Sequence, residues 1–137
     1  KIEVLEKPTN AEVLVYGAGA PVSDLTGPNG ESGSRGVPGG YSRMYTMSAT
    51  GYTAKSGKGA SRLGLYYGTV AVNPNLIPYG TKMYIASPDG KFVYGWAIAT
   101  DTGSSLMENP NNIDLFYETY TESLLNGRIT VNVYVYG

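Results

Sequence analysis

The segment from Ile129 to Tyr136 alternates strictly between apolar and polar residues. Every odd-numbered position is Ile or Val, and every even-numbered position is Thr, Asn or Tyr. A period of two is that of a β-strand with one buried face and one solvated face. Because an isolated strand is not stable in water, this segment predicts a β-sheet completed by other strands of the chain.

The rest of the chain supplies five more strand-like segments and one helix. The helix is predicted from Thr119, which has capping-box spacing to Glu122, and it ends before Gly127. Residues 101–112 are predicted as a loop. Six short strands are expected to close into a small all-β barrel with one short helix, because closure removes exposed strand edges. The other five strands are predicted at residues 45–53, 69–72, 82–86, 92–100 and 113–116.

The composition divides the chain into three parts. Residues 1–17 contain two short apolar runs and are interpreted as a β-like fragment. Residues 18–40 are dense in Gly, Pro and Ser, which is typical of a flexible linker. Residues 41–137 contain the six predicted strands and the helix, and we expect them to form one folded domain.

The sequence has no histidine and no cysteine. It therefore excludes a Ser-His-Asp triad, a thiol nucleophile, and His or Cys metal sites. Proton transfer by side chains is left to Asp, Glu, Lys or Tyr. The formal net charge of −1 argues against nucleic-acid binding, and no apolar run approaches the ~20 residues of a membrane span. We expect no cofactor, no metal and no membrane insertion.

Two acidic residues stand beside or within apolar strands. Asp101 follows the apolar run 96–100, and Asp114 lies inside a short apolar segment. Alternation places Asp114 opposite Ile113 and Leu115. A carboxylate in such a strand either faces water or lies in a pocket with partners. The alternative for Asp101 is a carboxylate that caps nearby N–H groups, and for Asp114 it is the solvent face of an edge strand.

Six short motifs stand in order along the chain: ATGYT (49–53), GTVAVNP (68–74), IPYGTKMY (77–84), ATDTG (99–103), NIDLF (112–116) and GRITV (127–131). Together they resemble the 3D domain, a small domain named for three aspartates. It is shared by MltA-type lytic transglycosylases and by bacterial stationary-phase survival and spore-germination wall proteins. Residues 1–17 are similar to the end of a G5 domain, a module that often precedes 3D domains in exported Gram-positive wall proteins.

The resemblance implies a six-stranded double-psi β-barrel and a position for each family aspartate. The first falls on Asn73, where this chain departs from the family, the second on Asp101 and the third on Asp114. The third position is similar to the catalytic acid of the transglycosylases, so Asp114 is expected to be catalytic with Asp101 beside it. Substrate contacts are expected at Asn73, Thr102, Gly103, Tyr52 and Arg62.

Other residues are candidates for the same groove. Residues 104–110 depart from the family's pattern and are expected to line it. Trp96 is expected in the core. Sugar stacking is expected on one or more of Tyr52, Tyr66, Tyr67, Tyr94 and Tyr117. The alternative for each tyrosine is a half-buried position on a strand. Contacts to carboxylates of the substrate are expected on Lys55, Lys58 or Arg62, and the alternative for these three is a solvated loop.

The implied activity is cleavage of the MurNAc–GlcNAc β-1,4 bond of peptidoglycan with closure of a 1,6-anhydro ring. One aspartate suffices as acid and then base, because the attacking C6 hydroxyl belongs to the same MurNAc. The expected partner is the peptidoglycan glycan strand, and the expected location is the Gram-positive cell wall, with a signal peptide absent from this fragment. The alternatives are a non-catalytic peptidoglycan-binding module and a structural spacer.

Overall fold

A computed structural model describes residues 21–23, 25, 27, 37–54 and 60–136. The fragment compared with a G5 domain, residues 1–17, lies outside the described residues, as do Lys55 and Lys58. Residues 18–40, interpreted as a linker, are described only in part.

The described chain contains six strands and two helices. All six predicted strands are present, with ends within two residues of the predicted ones. The strands are β1 (Arg43–Tyr52), β2 (Thr69–Ala71), β3 (Lys82–Ala86), β4 (Val93–Asp101), β5 (Asn112–Phe116) and β6 (Ile129–Tyr136), and the helices are α1 (Ser104–Glu108) and α2 (Tyr120–Asn126).

The six strands form a closed barrel in the order β1-β5-β2-β4-β3-β6, with β6 returning to β1. Two pairs, β1 with β5 and β2 with β4, are parallel, and the other four are antiparallel. The predicted mainly-β six-stranded barrel is therefore confirmed. No strand of the barrel is an edge strand, so the edge-strand alternative for Asp114 is wrong.

Alternating residues of each strand fill the barrel interior. On β6, Val131, Val133 and Val135 point inward and are at most 9% exposed. Trp96 is fully buried, as predicted, but it packs with Tyr84 on the opposite face of the wall, where β3 and β4 pair. The barrel thus has an interior core and a second apolar cluster on the outside of the β3–β4 pair.

Two residues of the predicted linker lie on this outer cluster. The Ser23 backbone N–H donates to the Tyr94 carbonyl at 2.7 Å, and its hydroxyl donates to the Trp96 carbonyl at 2.5 Å. Leu25 packs against the cluster and also occupies the space where a side chain at Gly68 would extend. Gly68 also has φ of 111°, a conformation that residues other than glycine rarely adopt. Both the backbone conformation and the contact with Leu25 therefore favour glycine at this position.

The helices differ from the prediction in number. α2 begins as predicted, because the Thr119 hydroxyl accepts the Glu122 backbone N–H at 3.1 Å. α1 was predicted as loop, and it is a helix of five residues in which only Leu106 is buried. One turn is too short to show a 3.6-residue apolar repeat, so the sequence pattern carries no sign of it. Within the described residues, neither helix has the length or the apolar character needed to cross a membrane.

Candidate functional site

The barrel register brings the two candidate carboxylates to either side of one short strand. Ala71 at the end of β2 pairs with Asp114 of β5 and, across its other edge, with Asp101 of β4. Thr50 of β1 pairs with Asp114 and extends the row by one strand. Directly paired residues share a face of the sheet, and strands lie ~4.8 Å apart, so the two aspartate Cα atoms are about 10 Å apart across Ala71.

A β-bulge turns Asp101 toward this face. Val70 pairs with Ala99, but Ala71 pairs with Asp101, so Thr100 is an extra residue in β4. Without the bulge, Asp101 would lie on the inward side with Ala99, which is a core residue. Bulges commonly redirect side chains at functional sites, and here the bulge places the second carboxylate on the same face as the first.

Asp114 is a half-buried carboxylate with one oxygen held and one oxygen available. The Thr50 hydroxyl donates a hydrogen bond to Asp114 Oδ1. Within the described part of the chain, no group donates to Oδ2. The neighbours Ile113 and Leu115 are fully buried on the opposite face, as alternation predicted. Thr50 therefore fixes the carboxyl group while leaving its second oxygen open to a ligand.

Asp101, in contrast, has both oxygens engaged by the protein. Oδ1 accepts the Ala60 backbone N–H at 2.8 Å, and Oδ2 accepts the Tyr52 hydroxyl at 3.4 Å. Burial, together with the charges of Asp101 and Asp114, raises the pKa of Tyr52 well above its ordinary value. Tyr52 thus remains a hydrogen-bond donor to Asp101, and its ring packs edge-on against Phe116 with centroids 5.5 Å apart.

The loop that carries Arg62 is fastened beside Asp101. Ser61 donates both its backbone N–H and its hydroxyl to the Thr100 carbonyl, at 3.1 and 2.6 Å. Arg62 itself has φ of 69° and an exposed side chain. A non-glycine residue in the left-handed region costs roughly 1–2 kcal/mol, so the anchored loop holds this arginine in a strained conformation next to the carboxylate row.

Asn73 has a different environment from the one expected of a substrate contact. It is 6% exposed, and its amide nitrogen donates to the carbonyls of Leu106 and Met107 at 3.2 and 3.3 Å. Its Oδ1 accepts the Asn75 backbone N–H at 2.9 Å. Asn73 therefore fastens α1 to the turn after β2, and its role toward a substrate stays a prediction.

Thr102 and Gly103 lead from the carboxylate row into α1. The Thr102 hydroxyl is buried and has no hydrogen-bond partner among the described residues. Gly103 is the N-cap of α1, and a side chain built there would meet no atom within 4 Å. This segment thus combines a buried hydroxyl that lacks a partner among the described residues with open space beside the Gly103 backbone.

The candidate stacking tyrosines separate into buried and accessible ones. Tyr94 and Tyr117 are fully buried, and their hydroxyls donate to the Phe116 carbonyl and to Asn126 Oδ1, both at 2.6 Å. The prediction that a sugar stacks on these two tyrosines is therefore wrong, because their rings belong to the barrel core. Tyr66 is 44% exposed, and Tyr52 is half-buried.

Sequence reasoning missed two groups of the site. Thr50 precedes Tyr52 by two residues and so shares its face of the strand, and this spacing is the signal that could have identified it. The Ala60 N–H left no sequence signal, because a backbone donor carries no residue-type signature. Within the described residues, no three carboxylates come together as metal ligands would.

The sequence model of the 3D domain matches residues 68–137, which is half of the chain. The chain belongs to the 3D domain family. The match covers β2 to β6, whereas β1, which closes the barrel and carries Thr50 and Tyr52, precedes it.

Two relatives from Bacillus subtilis are each 34% identical to this chain. YabE, by name a cell wall shaping protein, matches over 99 residues, which is 66% of this chain and 22% of that protein. YocH, by name a cell wall-binding protein, matches over 102 residues, which is 69% of this chain and 33% of that protein. The chain thus spans between about a fifth and a third of the length of these relatives.

Among solved structures, the lytic transglycosylase MltA from Escherichia coli is similar in fold. It has 22% sequence identity and a TM-score of 0.50, over 58% of this chain and 27% of MltA. This likeness supports the barrel architecture, and at this identity it extends to the fold alone.

Proposed function

We propose that this domain is a peptidoglycan lytic transglycosylase with Asp114 as its acid and base. The observation that carries the proposal is the row Thr50–Asp114–Ala71–Asp101, in which only Asp114 retains an oxygen without a donor among the described residues. In a chain without histidine or cysteine, a carboxyl group of this kind is the most capable proton-transfer group.

The reaction proceeds in two proton transfers. Asp114 donates its proton to the bridging oxygen, and the bond between that oxygen and MurNAc C1 breaks. The C6 hydroxyl of the same MurNAc then bonds to C1, and its proton passes to Asp114, which restores the acid. No water enters the reaction, so a second carboxylate is not required as base or nucleophile.

Asp101 acts in this proposal as a positioning residue. Both of its oxygens accept hydrogen bonds, Oδ1 from the Ala60 backbone N–H and Oδ2 from the Tyr52 hydroxyl. A carboxylate whose oxygens are occupied in this way is poorly placed to activate water, but it holds the Tyr52 hydroxyl and the start of the 60–62 loop in place. Arg62 on that loop would meet carboxylates of the bound polymer.

The test is the product formed from purified cell-wall sacculi. The wild-type chain should release muropeptides ending in 1,6-anhydroMurNAc, and Asp114→Asn should lower their release by at least ~100-fold, as expected when a general acid is lost. Glu118→Gln, a change at an exposed acid, is the matched control and should be unaffected. Unchanged release by Asp114→Asn contradicts the proposal.

A second candidate is a non-catalytic module that binds the wall. It is favoured by the name of the relative YocH and by Asn73, whose position carries an aspartate in the resemblance. Both candidates place the protein outside the cell, in contact with peptidoglycan. Sedimentation with sacculi that yields no anhydro product from the wild-type chain supports the binding module.

A further inference from the structure

A cleft of about 520 Å³ lies at one mouth of the barrel. It is formed by the start of β1, the turn that leads into β3, and the end of β6. Ligand pockets of proteins typically fall between about 300 and 1,000 Å³, and barrel mouths are among their usual locations. The cleft is therefore large enough for a ligand the size of a short peptide.

This cleft is separate from the carboxylate row. Arg43 lines the cleft, whereas Thr50, which bonds Asp114, lies seven residues further along β1. At ~3.3 Å per residue, the two positions are up to about 23 Å apart along the strand. None of Thr50, Asp101 and Asp114 lines the cleft.

The cleft is lined by both basic and apolar residues. Arg43 and Lys82 line it, and no acidic residue is among the described residues around it. Leu76, Ile77 and Val135 provide apolar surface. Such a combination suits a ligand that carries both an anionic group and small apolar groups.

Arg43 is oriented over the barrel mouth by the register and by a hydrogen bond. Arg43 on β1 pairs with Val135 on β6, and Val135 pairs on its other side with Met83 on β3. Val135 and Met83 are both core residues. Arg43 Nη1 donates to the Tyr45 hydroxyl at 3.3 Å. A guanidinium has five N–H donors, so this one bond directs the group and leaves donors for the fork geometry that matches a carboxylate.

We propose that this cleft binds a peptide with a free carboxylate, namely a stem peptide of peptidoglycan, with the carboxylate on Arg43. The choice of peptidoglycan as the source of the peptide rests on the proposed function. The apolar lining favours a peptide with methyl side chains over a polyol phosphate, although both are anions. Because the cleft is so far from Asp114, the peptide it holds belongs to a unit other than the one being cut.

The experiment measures binding without turnover. The full chain carrying Asp114→Asn is titrated with a synthetic stem pentapeptide by calorimetry, so its outcome does not depend on whether Asp114 is catalytic. Adding Arg43→Gln should weaken binding at least tenfold. Arg128→Gln makes the same charge change at an exposed arginine that donates to Ser48 at 2.9 Å, and it should leave the affinity unchanged. Thermal unfolding of each variant verifies that the fold is retained.

Two ligand variants complete the test. The Asp114→Asn chain should bind the amidated pentapeptide weakly. Its affinity for that peptide should match the affinity of the Arg43→Gln variant for the peptide with free carboxylates. An oligomer of glycerol phosphate should not compete. Equal binding of the amidated peptide, equal loss in the Arg43 and Arg128 variants, or binding of glycerol phosphate in place of the peptide would each overturn the proposal.

Discussion

Replacing Asn73 by aspartate, the residue that the resemblance places at this position, is expected to destabilise the domain. The Asn73 amide donates to two carbonyls of α1 and is 6% exposed. An ionised aspartate cannot donate, so two hydrogen bonds of about 1 kcal/mol each are lost. Its negative charge would also face those carbonyl oxygens, where an unpaired buried group costs a further ~1–3 kcal/mol.

The expected loss is thus about 3–5 kcal/mol of unfolding free energy, which is a large share of the ~5–15 kcal/mol typical of a domain. For a barrel of this size, 1 kcal/mol corresponds to roughly 4–8 °C, so Tm should fall by at least about 12 °C. Urea unfolding and thermal scans measure the two quantities.

The matched control for this prediction is Asn75→Asp. It introduces the same charge two residues away, at an exposed side chain, and Asn75 contributes only its backbone N–H to the Asn73 contact. Its effect should stay within about 0.5 kcal/mol. If Asn73→Asp is as stable as Asn75→Asp, the hydrogen bonds to α1 do not hold Asn73 as described.

Three further predictions concern the site, the linker and the pH dependence of stability. Thr50→Val should slow anhydro-product release roughly 10- to 100-fold by releasing Asp114, whereas Thr46→Val, on the same strand, should not; equal rates refute the positioning role of Thr50. Leu25→Ala should uncover the outer cluster and red-shift the emission of the single tryptophan, unlike Leu63→Ala at an exposed site; an unchanged spectrum contradicts the packing of Leu25. Burial raises the pKa of three tyrosines, so their contribution to stability is present below pH ~10 and is lost as pH rises beyond it, because the unfolded chain ionises first; a urea midpoint that stays constant up to pH 12 would refute this. The three are Tyr52, Tyr94 and Tyr117.

Local sequence patterns predicted the elements of this fold well. The alternation in β6 and the capping residues of α2 are local signals, and the structure has both as predicted. α1 was missed because a single helical turn has no repeat to detect. Barrel closure followed from the number of short strands, but the order in which they pair depends on contacts distant in sequence.

The candidate site depended most on such distant contacts. Alternation placed Asp114 on the outer face correctly, because β5 is regular. It would have placed Asp101 with Ala99 inside the barrel, since the bulge at Thr100 is visible only in the pairing with β2. The two carboxylates lie on either side of Ala71 because of the order in which the strands pair. No residue type in the sequence predicts that order.

The Asn73 departure shows a further limit of sequence reasoning. An asparagine in place of the family aspartate suggests that the site has lost one carboxylate. Its contacts instead join α1 to the turn after β2, and α1 was itself unpredicted. A residue that serves an unpredicted element cannot be assigned its role from the sequence.

The most direct test of the central claim is cleavage of sacculi in water enriched in oxygen-18. If the substrate's own C6 hydroxyl attacks under the control of Asp114, the new MurNAc ends should be anhydro forms without the heavy isotope, and Asp114→Asn should produce almost none. New reducing ends that carry oxygen-18 would show that water is the nucleophile and would contradict the single-carboxylate mechanism.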